Sequence, residues 1–109
     1  VRRFGQQNNK GLDFSGREGQ PVVAAAPGRV VYSGNALQGY GELIIIKHDE
    51  VLLSAYGYNR ARFVKEGDVV KAGQTIAEMG LGPENRPLLH FEIRDKGQPS
   101  DPGLRLPSR

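Results

Sequence analysis

Two histidines and no cysteine limit the chemistry open to this chain. A thiolate metal site and a disulfide framework are both excluded. Any metal or proton-transfer site must draw on His48, His90 and the carboxylates. His90 lies in the run Leu88-Leu89-His90-Phe91-Glu92-Ile93-Arg94. Strand side chains alternate between faces, so Leu89, Phe91 and Ile93 form a core face. Leu88, His90 and Glu92 share the other, and His90 is expected to project there into a cleft. The second candidate segment is Asn9-Lys10-Gly11-Leu12-Asp13. Plainer readings stand beside these. A strand histidine is commonly a hydrogen-bonded structural residue, and an Asp after Gly-Leu is commonly a turn residue. Tyr56 and Tyr58 fall on one face of a predicted strand, which suits ordinary β packing as well as ligand contact. Tyr40, between Gly39 and Gly41, is an aromatic at a loop tip, either a lid or a contact residue. Arg60, Arg62 and Lys65 form a basic cluster that a solvated edge strand explains equally well.

The elements that must position these residues are short strands. Pro21 to Ala26, Arg29 to Tyr32, Leu43 to Ile46, Val51 to Tyr58, Arg62 to Val64, Val69-Val70, Thr75 to Met79 and Leu88 to Arg94 all read as strands. Turn signals separate them, such as Pro27-Gly28, Asp49-Glu50 and Lys65-Glu66-Gly67-Asp68. Leu43 to Ile46 is apolar on both faces, as a central, doubly covered strand would be. Residues 1–19 read as a polar, glycine-punctuated stretch, 80–87 as a loop, and 97–109 as a proline-rich tail wrapping the surface. Strands at this spacing predict an all-β sandwich or barrel, mostly antiparallel.

With 109 residues, the chain suits one domain spanning 1–109. A net charge of +3 is a mild basic excess, compatible with an acidic partner. It comes without the aromatic–basic alternation that nucleic-acid binding needs. No apolar run reaches the length of a membrane span, and the start, Val1-Arg2-Arg3, shows no signal-peptide pattern. The chain is therefore expected to be a piece of a longer protein.

Residues 9 to 95 resemble the LytM or lysostaphin-like family of zinc peptidases, which cut peptide cross-bridges in bacterial cell walls. That family reads His-x-x-x-Asp early, Tyr-x-His in mid-chain and His-x-His-Phe-Glu-Ile late. The likeness is greatest to its NlpD-type branch, around Asn9 to Asp13 and Gly28 to Leu37. The resemblance implies a LytM-type antiparallel β-sandwich with a groove, related to the barrel-sandwich hybrid. It also implies a C-terminal position in an outer-membrane lipoprotein of the Gram-negative periplasm. The three zinc-ligand positions fall on Asn9, Asp13 and His90. A catalytic zinc takes three protein ligands and a water, and a neutral amide oxygen is a poor third ligand. The positions flanking the metal-bound water fall on Tyr58 and Leu88. Leucine moves no proton, and a phenol with an unperturbed pKa of ~10 is a weak base. No cofactor, no metal and no hydrolysis are therefore expected. His48 occupies a strand end where active members also carry a His, so it does not read as a displaced ligand.

Three function classes compete. NlpD-type and EnvC-type domains imply an interaction domain that activates N-acetylmuramoyl-L-alanine amidases during daughter-cell separation, with peptidoglycan as a further contact. An atypical zinc peptidoglycan endopeptidase is the second class. A biotinyl- or lipoyl-type carrier is the third, suggested by Val22 to Val31 and Val64 to Met79, but no Met-Lys-Met or Asp-Lys-Ala occurs. The interaction domain is the expected one, with Tyr40, Tyr56, Tyr58, Arg86, Leu88 and His90 forming the partner groove.

Overall fold

A computed structural model describes residues 11–37, 39–95 and 98–100. Nine strands form among the described residues: β1 (Leu12–Ser15), β2 (Pro21–Val23), β3 (Gly28–Gly34), β4 (Glu42–Lys47), β5 (Leu52–Arg62), β6 (Val69–Val70), β7 (Thr75–Leu81), β8 (Pro87–Asp95) and β9 (Gln98–Ser100). One sheet contains them in the order β1-β8-β7-β5-β4-β3-β6, with β2 on β7 and β9 on β8. Every pairing is antiparallel. The β-branched runs explain the centre: Ile44 and Ile46 in β4 and Ile76 in β7 are fully buried, and Val30, Tyr56, Phe91 and Ile93 pack with them. Each such side chain contributes roughly 1.5–3 kcal/mol by leaving water.

Four boundaries differ from the sequence expectation, each because of pairing; one is β9, which pairs with β8 inside the expected tail. β1 forms within the polar opening stretch because the edge of β8 supplies its ladder, Leu12 opposite Phe91 through Ser15 opposite Leu88. The loop after Met79 starts later, since Gly80 and Leu81 pair with Leu88 and Pro87 before a 3-10 turn at Pro83–Asn85. β5 is one strand of 11 residues where two were expected. Its first half, Leu52 to Gly57, pairs with β8, and its second half, Asn59 to Arg62, pairs with β7.

Tyr58 stands at that change of partner, with φ 66°. The fork between β5, β7 and β8 is tight. A Cβ on Gly80 would lie 2.6 Å from the Tyr58 carbonyl oxygen. Gly80→Ala is therefore expected to destabilise the domain by ~1–3 kcal/mol through overpacking, measured by denaturant unfolding.

His48 takes a structural role. Its Nδ1 is 2.7 Å from the Pro27 carbonyl and its Nε2 2.7 Å from Ser54 Oγ. Ser54 Oγ in turn lies 2.8 Å from Tyr56 Oη, which accepts the Ala25 N–H at 2.9 Å.

Candidate functional site

Strand alternation puts Leu88, His90, Glu92 and Arg94 on one face of β8, as the sequence predicts for the first three. The β1–β8 register sets Asp13 directly opposite His90. The result is a chain of contacts across that face. His90 Nδ1 lies 2.6 Å from Asp13 Oδ1, and Nε2 lies 2.7 Å from Glu92 Oε2. Arg94 donates from Nε to Glu92 Oε1 at 2.9 Å. Tyr40 donates its hydroxyl to Glu92 Oε2 at 3.1 Å. Asp13, His90 and Glu92 are buried.

Ionised carboxylates only accept, so these two contacts favour the imidazolium form of His90, which donates from both ring nitrogens. Burial works against that charge, but the hydrogen bonds and charges of Glu92 and Asp13 outweigh it and raise the His90 pKa. Burial likewise opposes the Glu92 charge, yet His90 and Arg94 hold its pKa below the usual carboxylate value. Burial first, and then the Glu92 carboxylate, raise the Tyr40 pKa, which keeps the phenol a donor.

Of the three ligand positions that the resemblance implies, Asp13 and His90 lie in direct contact at 2.6 Å. Among the described residues no group of three His, Cys, Asp or Glu side chains is arranged to hold a metal ion. Asn9 lies outside the described residues. With Asn9 in the third position, two strong ligands and a neutral amide do not fit the family's catalytic zinc.

Two aromatic rings flank the imidazolium, Tyr40 at 5.8 Å and Tyr58 at 6.0 Å between centroids. Beside them a cleft of ≈ 320 Å³ is lined by Asp13, Ser15, Pro83, Arg86 and Leu88. Arg86 stands at its rim with its side chain 79% exposed, 3.9 Å from Glu84. Tyr40 and Tyr58 thus flank His90, while Leu88 and Arg86 line the neighbouring cleft with Asp13.

Tyr56 does not join them. It is 1% exposed and packs on Phe91 at 5.3 Å, on the core face. The expectation that Tyr56 and Tyr58 share a face is corrected by the left-handed backbone at Tyr58, which breaks the alternation and turns that ring toward His90. The Tyr58 N–H is held there by the Tyr40 carbonyl at 2.6 Å. Sequence reasoning also left out Glu92 and Arg94 as site residues, although their even spacing from His90 along the strand was the available signal. The basic cluster is locally neutralised: Arg60 pairs with Glu78, Arg62 with Glu42 and Lys65 with Asp68.

Residues 7–102 match peptidase family M23. The chain belongs to that family. Across 101 residues, this M23 domain is 58% identical to the lipoprotein NlpD/LppB homolog of Pseudomonas aeruginosa, covering 93% of the chain and 34% of that protein. It is 51% identical over 111 residues to the murein hydrolase activator NlpD of Escherichia coli, covering 100% of the chain and 29% of that protein. The chain thus spans about a third of the length of these relatives. Its fold is similar to the peptidase lysostaphin from Staphylococcus simulans, with a TM-score of 0.87 and 31% identity, covering 97% of the chain and 48% of lysostaphin.

Proposed function

We propose that this M23 domain does not hydrolyse peptidoglycan but binds and activates a periplasmic N-acetylmuramoyl-L-alanine amidase at daughter-cell separation. The observation that carries the reading is the donor set: Asp13 and His90 meet across β1 and β8, but Asn9 and Leu88 stand where the family's site needs histidines. Leu88 offers no proton transfer and presents an apolar surface suited to a protein partner. The relatives named as murein hydrolase activators support the same reading. In it the domain is the C-terminal part of a lipoprotein, held at the outer membrane by a segment upstream. The partner element seats along Tyr40, Tyr58 and Leu88, and the domain binds the open amidase more tightly than the closed one, shifting the population.

The deciding experiment is turnover of labelled peptidoglycan by a purified cognate amidase, with and without the domain. Turnover is expected to rise with the domain present and to be absent with the domain alone. An amidase rate that the domain leaves unchanged would sink the activator reading.

Elemental analysis is expected to find no stoichiometric zinc in the purified domain. Asn9→His, Tyr58→His and Leu88→His together are expected to bind zinc more tightly than any one of them alone, because Asn9→His supplies the third ligand and the other two restore the imidazoles that flank the metal-bound water. A folded triple variant that binds zinc no better than the parent would show that the site has been misplaced.

A further inference from the structure

Asn59 follows Tyr58 in β5, buried at 5% exposure and absent from the lining of the cleft. Tyr58 holds a left-handed backbone that a residue with a side chain seldom adopts. Such a conformation persists where its surroundings impose it. The ladder slips on both sides of Asn59. Asn59 faces Glu42 while Tyr56 faces Ile44, so three steps along β5 match two along β4. Asn59 also faces Met79 while Ala61 faces Glu78, two steps against one on β7. A slip of this kind interrupts the backbone pairing that otherwise fixes where a side chain points.

The Asn59 side chain bridges the slip. Its Nδ2 donates to the Tyr56 carbonyl at 2.8 Å and to the Glu42 carbonyl at 3.0 Å. The first bond closes the turn from Tyr56 to Asn59 around Tyr58. The second ties that turn to β4, next to the segment whose Tyr40 carbonyl accepts the Tyr58 N–H. A primary amide carries two protons on one nitrogen, one for each carbonyl, whereas an ionised carboxylate or an alkyl group has none. The reversed amide would set an oxygen against two carbonyls, so the orientation is fixed. That orientation leaves Oδ1 buried with no hydrogen-bond partner among the described residues. A buried carbonyl left unpaired opposes folding. Packing therefore gives no reason for an asparagine here, and the two donations do.

We propose that Asn59 is a positioning residue for the His90 face: its amide holds the left-handed turn of β5 and so keeps the Tyr58 ring beside His90. The effect on amidase activation runs through that ring and rests on the function proposed for the domain. The effect on the ring itself does not.

Asn59→Leu removes both donors at similar volume. Ring NOEs between Tyr58 and His90 are expected in the parent domain and lost in this variant, while those between Tyr56 and Phe91 in the core persist. Asn59→Leu is expected to raise the activating concentration several-fold in the parent and to add nothing in Tyr58→Gly, whose ring is already gone. A merely structural role would weaken activation equally in both backgrounds. A parent that activates no amidase removes the activator function, and the NOE comparison then decides the role of Asn59 by itself. If Asn59→Leu does not fold, the unsubstituted chain decides: both Nδ2 protons of Asn59 are expected to exchange with solvent far more slowly than those of the exposed Asn85. Absent Tyr58–His90 NOEs in the parent, the same NOEs retained in folded Asn59→Leu, equal losses of activation in both backgrounds, or Asn59 exchange as fast as at Asn85 would each overturn the proposal.

Discussion

His90→Leu is expected to destabilise the domain by about 3–5 kcal/mol, because it removes one partner from a buried ionic network. Asp13 and Glu92 would then face each other across the space that the imidazolium now neutralises. The same network imposes a pH profile. The folded His90 pKa is raised, so its contribution is complete below the unfolded value of about 6.5. That contribution is lost as pH rises through the folded value, on the alkaline side. Glu92 is depressed, so its contribution is complete above the unfolded carboxylate value and fades as pH falls through the folded one. Stability is expected to be highest between the two limbs. Urea midpoints across pH check this, with His90→Leu losing the alkaline limb. A variant as stable as the parent, with an unchanged pH profile, would remove the imidazolium from its bridging role.

Tyr58→Ala and Arg86→Ala are each expected to weaken amidase activation by ~1–3 kcal/mol, or roughly 5- to 150-fold in the activating concentration. Tyr and Arg dominate interface hot spots; Tyr58 stands beside His90, and Arg86 lines the cleft that Asp13 and Leu88 share. Arg86 is exposed, so its removal leaves the fold intact. Tyr58 sits at φ 66°, where alanine keeps the strain but loses the ring, so Tyr58→Gly is a useful companion that accepts this backbone freely. Full activation by the folded Tyr58 and Arg86 variants alike would exclude the groove as the amidase-binding surface.

Much of this protein was legible from local pattern. Alternation alone separated Leu89, Phe91 and Ile93 from Leu88, His90 and Glu92, because strand side chains repeat with period two whatever the strand pairs with. Turn residues at regular spacing announced the all-β fold, and the apolar run Leu43 to Ile46 announced a central strand. The changed residues Asn9, Tyr58 and Leu88 were plain in the sequence against the family pattern. Tertiary structure decided the rest, because it depended on groups far apart in the chain. Asp13 meets His90 across 77 positions through the β1–β8 register. Only that meeting, joined to Glu92, sets the imidazole between two carboxylates and raises its pKa. β5 runs unbroken because it exchanges β8 for β7 midway, which no local signal encodes. At that exchange one positive φ reverses the face of Tyr58, leaving Tyr56 in the core and Tyr58 beside the site. Period-two reasoning presumes a regular ladder, and a fork of three strands is where the ladder ceases to be regular.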